Sequence, residues 1–149
     1  MGSPADLASW TAGFITRSGE ETERAAEAFA ALLPPDTVLT LEGDLGTGKT
    51  TFVRGLVRGL GVTGDITSPS FALLNVHEGR RQVFHVDAYR LQAGAGLDDL
   101  MIWDVARSPW NVLVEWPERV ATHLPRGLWK LKASILADGG HRYDLTLPG

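Results

Sequence analysis

The sequence predicts a layered α/β domain with a mixed sheet. Three observations carry that reading. A short β-rich run, Thr37 to Leu41, leads directly into a glycine-rich loop and then a helical apolar stripe. Helical and strand patterns intermix along the rest of the chain. Two stretches have the alternation of hairpins, so antiparallel pairs stand beside a parallel strand–loop–helix unit. With 149 residues, 44% hydrophobic and 21% charged, the chain suits one domain over 1–149 whose core needs no cross-links.

In chain order, the first element is a helix from Ser18 to Leu33. Ser18 and Glu21 have capping-box spacing, and Ala25, Ala26, Phe29, Leu32 and Leu33 form one apolar stripe. Pro34-Pro35 ends it, since neither proline continues a helix. Thr37 to Leu41 is a strand, and Lys49 to Leu60 is a helix with Phe52, Val53, Leu56, Val57 and Leu60 on one face; Gly61 stops it. Ser70 to Val76 and Gln82 to Asp87 read as strands joined through His77-Glu78-Gly79-Arg80. Leu97 to Ala106 reads as helical. Asn111 to Glu115 is a nearly continuous apolar run of the buried-strand kind. Trp129 to Leu136 and His141 to Leu147 alternate across Asp138-Gly139-Gly140 as a terminal hairpin.

The loop between the Thr37–Leu41 strand and the Lys49–Leu60 helix carries chemistry. Gly43-Asp44-Leu45-Gly46-Thr47-Gly48-Lys49-Thr50 matches G-x-x-x-x-G-K-[ST] between a strand and a helix. Glycines let the backbone close around phosphate oxygens because no Cβ intrudes. Successive N–H groups across Gly43, Asp44, Gly46, Thr47 and Gly48 form an anion nest, aided by the positive end of the helix. Lys49 is placed for the β- and γ-phosphates, the Thr50 hydroxyl for Mg²⁺ and Thr51 for the α-phosphate. The fold class is therefore a P-loop NTPase-like, three-layer α/β domain with parallel and antiparallel pairs. The competing reading is a glycine-rich turn with an exposed lysine; the strand before the loop and the helix after it argue against that.

Hydrolysis needs an acid near the metal and a group to orient water. Val83-Phe84-His85-Val86-Asp87 resembles a Walker B strand, and Val112-Leu113-Val114-Glu115 ends in a second acid before Trp116-Pro117. Both acids fall at carboxyl ends of strands, where ligands gather in α/β sheets. Asp87 also reads as a turn residue closing its strand. Glu115 is harder to explain that way, because a carboxylate ending a buried apolar strand is costly unless it is paired or bound to metal. His85 reads as a hydrogen-bonded strand residue. Thr67-Ser68-Pro69-Ser70-Phe71 reads either as a nucleotide-sensing loop or as the entry to a strand.

Composition narrows the classes. The sequence has no cysteine, which excludes disulfides, thiolate metal sites and cysteine nucleophiles. A formal net charge of −4 disfavours direct nucleic-acid binding. No signal peptide or membrane-spanning run is read, so the expected location is cytoplasmic.

Taken together, GDLGTGKTTFVRGL at 43–56, TSPSF at 67–71, HVDAYRL at 85–91 and VEWPE at 114–118 resemble the TsaE (YjeE) family of small bacterial ATPases. The stretches follow the family's order across most of the chain. Ser70 stands where the family often has threonine, and 92–110 matches only loosely. The resemblance implies a part in making N6-threonylcarbamoyladenosine (t6A) in tRNA. It implies ATP and Mg²⁺ as cofactors, and binding and hydrolysis of ATP on the TsaB–TsaD pair. Residue by residue, it implies Thr50 and Glu115 on Mg²⁺, Asp87 at the Walker B position, Trp116 beside the nucleotide and Arg142 against adenine. Lys49, Glu115 and Asp87 are thereby the expected catalytic set.

Other classes remain open on sequence alone. One is a nucleotide-dependent assembly module with negligible turnover, and another is a small-molecule P-loop kinase, for which no arginine-rich lid is visible. A GTPase lacks support because no N/T-K-x-D run occurs. With no obvious arginine finger, slow hydrolysis by the isolated chain is expected.

Overall fold

The computed structural model describes residues 2–44, 46–63, 73–91, 96–120 and 124–149. The expected loop at 67–71, the first residues of the expected strand from Ser70, and Leu45 of the P-loop lie outside the described residues.

Two short elements open the chain, α1 (Leu7–Thr11) and β1 (Phe14–Thr16). Neither is long enough to show a period, and the sequence reading had neither. Trp10 holds them in place: it is fully buried, stacked on Phe14 at 4.5 Å and edge-on to Phe29 at 5.0 Å. Helix α2 runs over Gly19–Phe29 and is capped by Ser18, whose Oγ accepts from the Glu21 N–H at 3.1 Å. It ends four residues before Leu33, because the approach to Pro34-Pro35 tightens its last turn. The Leu32 N–H bonds back to the Phe29 carbonyl at 2.8 Å, three residues away.

Strand β2 (Thr37–Glu42) leads through the glycine-rich loop into α3 (Lys49–Gly59). The two long helices pack closely because α3 presents glycines to α2. A Cβ on Gly55 would lie 2.3 Å from the Glu23 carbonyl oxygen, and one on Gly59 would lie 2.7 Å from Ala30 Cβ. The next hairpin is β3 (Leu74–Glu78) and β4 (Gln82–Asp87). His77 and Glu78, expected in the turn, pair with Val83 and Gln82 instead, and the turn is Gly79 to Arg81. The expected helix over Leu97–Ala106 is two pieces, a 3₁₀ turn at Leu97–Leu100 and α4 (Ile102–Val105). Met101 breaks it with a left-handed φ of 59°, which lets the fully buried Leu97 and Ile102 both reach the core. Strand β5 (Trp110–Glu115) is followed by the terminal hairpin, β6 (Trp129–Ile135) and β7 (His141–Thr146).

All seven strands join one sheet in the order β1-β7-β6-β2-β5-β4-β3. The pairs β2–β5, β2–β6 and β4–β5 are parallel; β1–β7, β6–β7 and β3–β4 are antiparallel. Side chains alternate between two cores. Leu39, Leu41, Val83 and Leu113 pack under α1, α2 and α3. Val38, Phe84, Val86, Val112 and Val114 pack against Ala88, Leu97, Ile102 and Val120 on the other face. Three layers follow, with both faces of the central strands covered, as their apolar runs require. The register aligns Leu41, Glu115 and Asp87 at one edge of the sheet, beside the loop that leaves β2. Among the described residues, no helix is long and apolar enough to cross a membrane.

Candidate nucleotide-binding site

At that edge the chain leaves β2 and turns back on itself through left-handed glycines. Gly43, Gly46 and Gly48 have φ of 142°, 81° and 97°. The turn is also held from a distance. Tyr143 on β7 donates its hydroxyl to the Gly48 carbonyl at 3.2 Å. His141, on the same face of β7, has Nδ1 at 2.9 Å from the Thr47 carbonyl. A carbonyl oxygen only accepts, so Nδ1 carries the proton and donates. Within the loop, the Thr47 hydroxyl donates to the Asp44 carbonyl at 2.7 Å. A Cβ on Gly48 would sit 2.5 Å from the Tyr143 hydroxyl, so glycine is required here by space as well as by φ.

A cavity of 350 Å³ opens over the start of α3. The loop and helix contribute Gly46, Gly48, Lys49, Thr50 and Thr51; the end of β5 contributes Glu115 and Trp116. Gly19 and Thr22 of α2 and the β7 residues His141 and Tyr143 complete its described walls. Asp44, Gly43 and Thr47 border a neighbouring groove of 730 Å³ that also holds Glu42, Glu118 and Lys132.

Lys49 is buried. Its Nζ donates to the Gly43 carbonyl at 2.5 Å and lies 3.7 Å above the centre of the Trp116 ring. Burial lowers its pKa from the ordinary lysine value, against the opposing pull of Glu115, Glu118, Asp87 and Asp44. An ammonium so placed has lost much of its water, and a phosphate oxygen is a better partner than the single carbonyl it now holds. Trp116 reaches over it from a left-handed backbone, φ 60° and ψ 54°, a conformation costing roughly 1–2 kcal/mol in a residue with a Cβ. Such strain persists only where the surroundings enforce it. Here Tyr89 packs on the indole at 5.2 Å, and the Trp116 N–H bonds to the Leu41 carbonyl at 3.3 Å.

Glu115 is 7% exposed. Its Oε2 lies 2.6 Å from Nε2 of His85, which is 1% exposed, so the carboxylate is paired within the core. Asp87 stands opposite Glu115 in register on β4. Its carboxylate accepts from the Tyr89 N–H at 3.2 Å and faces Arg90 Nε at 3.5 Å, capping the 3₁₀ turn Ala88–Arg90 at the rim of the site.

The structure thus gathers Lys49, Thr50, Thr51, Glu115 and Trp116 around one cavity and sets Asp87 beside it. Arg142 is placed elsewhere. It points to the opposite face of β7 from His141 and Tyr143, with Nε 3.1 Å from both oxygens of Asp144 and Nη2 3.2 Å from the Ala12 carbonyl. Strand alternation accounts for this, because neighbouring residues on β7 face opposite sides. Sequence reasoning missed Thr22, His141 and Tyr143 as site residues. The alternation of β7 puts His141 and Tyr143 on one face, but only the tertiary fold brings that face to the loop. Among the described residues, no group of three or more His, Asp or Glu side chains could hold a metal by itself. Thr50 and Glu115 on one cavity fit a hard cation that takes its other ligands from phosphate and water, as Mg²⁺ does.

Comparison with known proteins gives the family and the fold. The family model described as "Threonylcarbamoyl adenosine biosynthesis protein TsaE" matches residues 16–142. The tRNA threonylcarbamoyladenosine biosynthesis protein TsaE of Treponema pallidum (strain Nichols) is 38% identical over 132 residues, covering 89% of this chain and 98% of that protein. The protein of the same name from Bacillus subtilis (strain 168) is 38% identical over 132 residues, 88% of this chain and 81% of that protein. The crystal structure of YdiB from Bacillus subtilis superposes with a TM-score of 0.76 at 33% identity, covering 92% of this chain and 85% of that one. A model match over most of the chain, full-length relatives and a shared fold together make this chain a member of the TsaE family of tRNA threonylcarbamoyladenosine biosynthesis proteins.

Proposed function

We propose that this chain is a Mg²⁺-dependent ATPase that supports t6A formation in tRNA by acting on the TsaB–TsaD complex in the cytoplasm. The observation that carries the reading is the meeting of Lys49, Thr50 and Glu115 on one cavity at the head of α3. Loop N–H groups and the start of α3 would receive the phosphates. Lys49 would exchange the Gly43 carbonyl for β- and γ-phosphate oxygens, and Thr51 would serve the α-phosphate. Thr50 and Glu115 would hold Mg²⁺, whose chemistry there is to neutralise charge on the phosphates. Asp87 at the rim would add negative charge beside the cation that Thr50 and Glu115 would hold. Trp116 covers the Lys49 side chain and limits water around it. The choice of ATP rests on the family resemblance and on the lack of a guanine-reading sequence.

No arginine lies among the described residues lining the cavity, so turnover by the isolated chain should be slow, with TsaB–TsaD completing the site. The test pairs capture on TsaB–TsaD, with and without ATP, with single-turnover hydrolysis by wild type and Glu115→Gln. The expected result is nucleotide-dependent capture by both proteins and loss of hydrolysis in the variant alone. Equal hydrolysis by Glu115→Gln would remove Glu115 from the chemistry. Absence of capture in every nucleotide state would refute the TsaB–TsaD role.

A further inference from the structure

We infer that His85 is a positioning residue that aims the Glu115 carboxylate at the metal-binding end of the cavity. This deepens the proposed reading and rests on Glu115 being a metal ligand. His85 lies on β4 two residues before Asp87, facing the α3 side of the sheet. Its Nε2 is 2.6 Å from Glu115 Oε2, and both residues are buried. An ionised carboxylate only accepts, so Nε2 carries the proton and donates. Oε2 is thereby held, leaving Oε1 for the cavity that Lys49 and Thr50 share. A glutamate side chain has rotamer freedom to lose, and a ligand fixed before the cation arrives loses less on binding.

The buried ring is poorly explained as core packing. His85 Nδ1 is buried with no hydrogen-bond partner among the described residues, a desolvation cost that valine or leucine at this position would not carry. The neighbours on this strand, Val83, Phe84 and Val86, are apolar, as core positions usually are. The histidine stands out for its bond to Glu115. Outer partners that orient a metal ligand commonly change metal affinity by about 10–100-fold when removed.

The test uses a fluorescent ATP analogue, bound to the full chain at increasing Mg²⁺ and also without Mg²⁺. Replacements are chosen by where they present an N–H. The glutamine amide reaches close to the position of imidazole Nε2, the asparagine amide falls nearer Nδ1, and leucine has neither. His85→Leu and His85→Asn should raise the Mg²⁺ midpoint about tenfold or more. His85→Gln should stay near wild type, and all three should keep Mg²⁺-free nucleotide affinity. A wild-type midpoint for His85→Leu, or an equal defect in Gln, Asn and Leu, overturns the inference. Should the leucine variant fail to fold, the Gln–Asn contrast decides alone. Glu115→Gln separates the two levels. If it too has a wild-type midpoint, the carboxylate is not a metal ligand and both readings fall. If it is impaired while His85→Leu is normal, only the positioning role fails.

Discussion

Gly48→Ala tests whether the terminal hairpin sets the shape of the glycine-rich loop. The new Cβ would lie 2.5 Å from the Tyr143 hydroxyl and 3.2 Å from His141 Nδ1, at a φ of 97°. Two penalties arise and can be separated. The left-handed backbone costs roughly 1–2 kcal/mol with any Cβ present. The hydroxyl contact adds to this, because the Tyr143 ring is locked against Phe52 at 5.3 Å and Trp10 at 6.3 Å and cannot withdraw. Backbone strain alone converts to about 5–30-fold weaker nucleotide binding if the loop must be rebuilt to bind. The assay is titration with a fluorescent ATP analogue on Gly48→Ala, Tyr143→Phe and the double variant. Tyr143→Phe alone should be mild, since the Gly48 carbonyl still accepts from the Phe52 N–H at 3.0 Å. The double variant should recover the steric part of the loss, the next ring atom, Tyr143 Cζ, being 3.6 Å from the new Cβ. It should not recover the backbone part. Binding by Gly48→Ala within twofold of wild type would refute the argument, as would a double variant no better than the single.

Further predictions concern stability. Asn111 is fully buried; Nδ2 donates to the Pro34 and Thr37 carbonyls at 2.9 and 3.0 Å, and Oδ1 accepts from Arg81 at 2.9 Å. Asn111→Leu should therefore lower unfolding free energy in urea by about 2–4 kcal/mol, at roughly 1 kcal/mol per bond plus the groups left unpaired. A loss below about 0.5 kcal/mol would show that the network adds nothing. The Tyr143 phenol is pushed above its usual value of 10.0 by burial, against a hydrogen bond with Thr22. The folded state keeps this proton after the unfolded state has released it. The contribution is thus complete below pH 10.0 and is lost as pH rises toward the folded value. Lys49, lowered by burial, acts in the opposite direction, but it is common to both proteins when wild type is compared with Tyr143→Phe. The stability advantage of wild type over that variant should shrink above pH 10.0 in urea melts; a constant difference would contradict the burial argument.

How much was legible in the chain depends on distance along it. The run β2–loop–α3 was read within one or two residues, because cap, glycine spacing and apolar stripe are all local. The terminal hairpin was read equally well, since its alternation and its turn residues sit side by side. Elements that depend on tertiary support were not legible. β1 has three residues and exists because β7 offers it an edge and Trp10 anchors its start. The break at Met101 likewise follows from burying Leu97 and Ile102 together.

The candidate site divides in the same way. Residue type at short spacing was enough to find a loop with the G-x-x-x-x-G-K-[ST] pattern, acids ending two nearby strands, and a resemblance to one family. Which distant side chains reach the loop follows from the pairing of the strands. Parallel pairing of β5 with β2 and β4 put Glu115 opposite Lys49's loop and His85 within 2.6 Å of its carboxylate. Strand alternation sent Tyr143 to the Gly48 carbonyl and Arg142 to the far face. The physical reason is that sheet register is a cooperative property of the whole layer. A shift of one residue would exchange every inward and outward side chain, and no local spacing records which register wins.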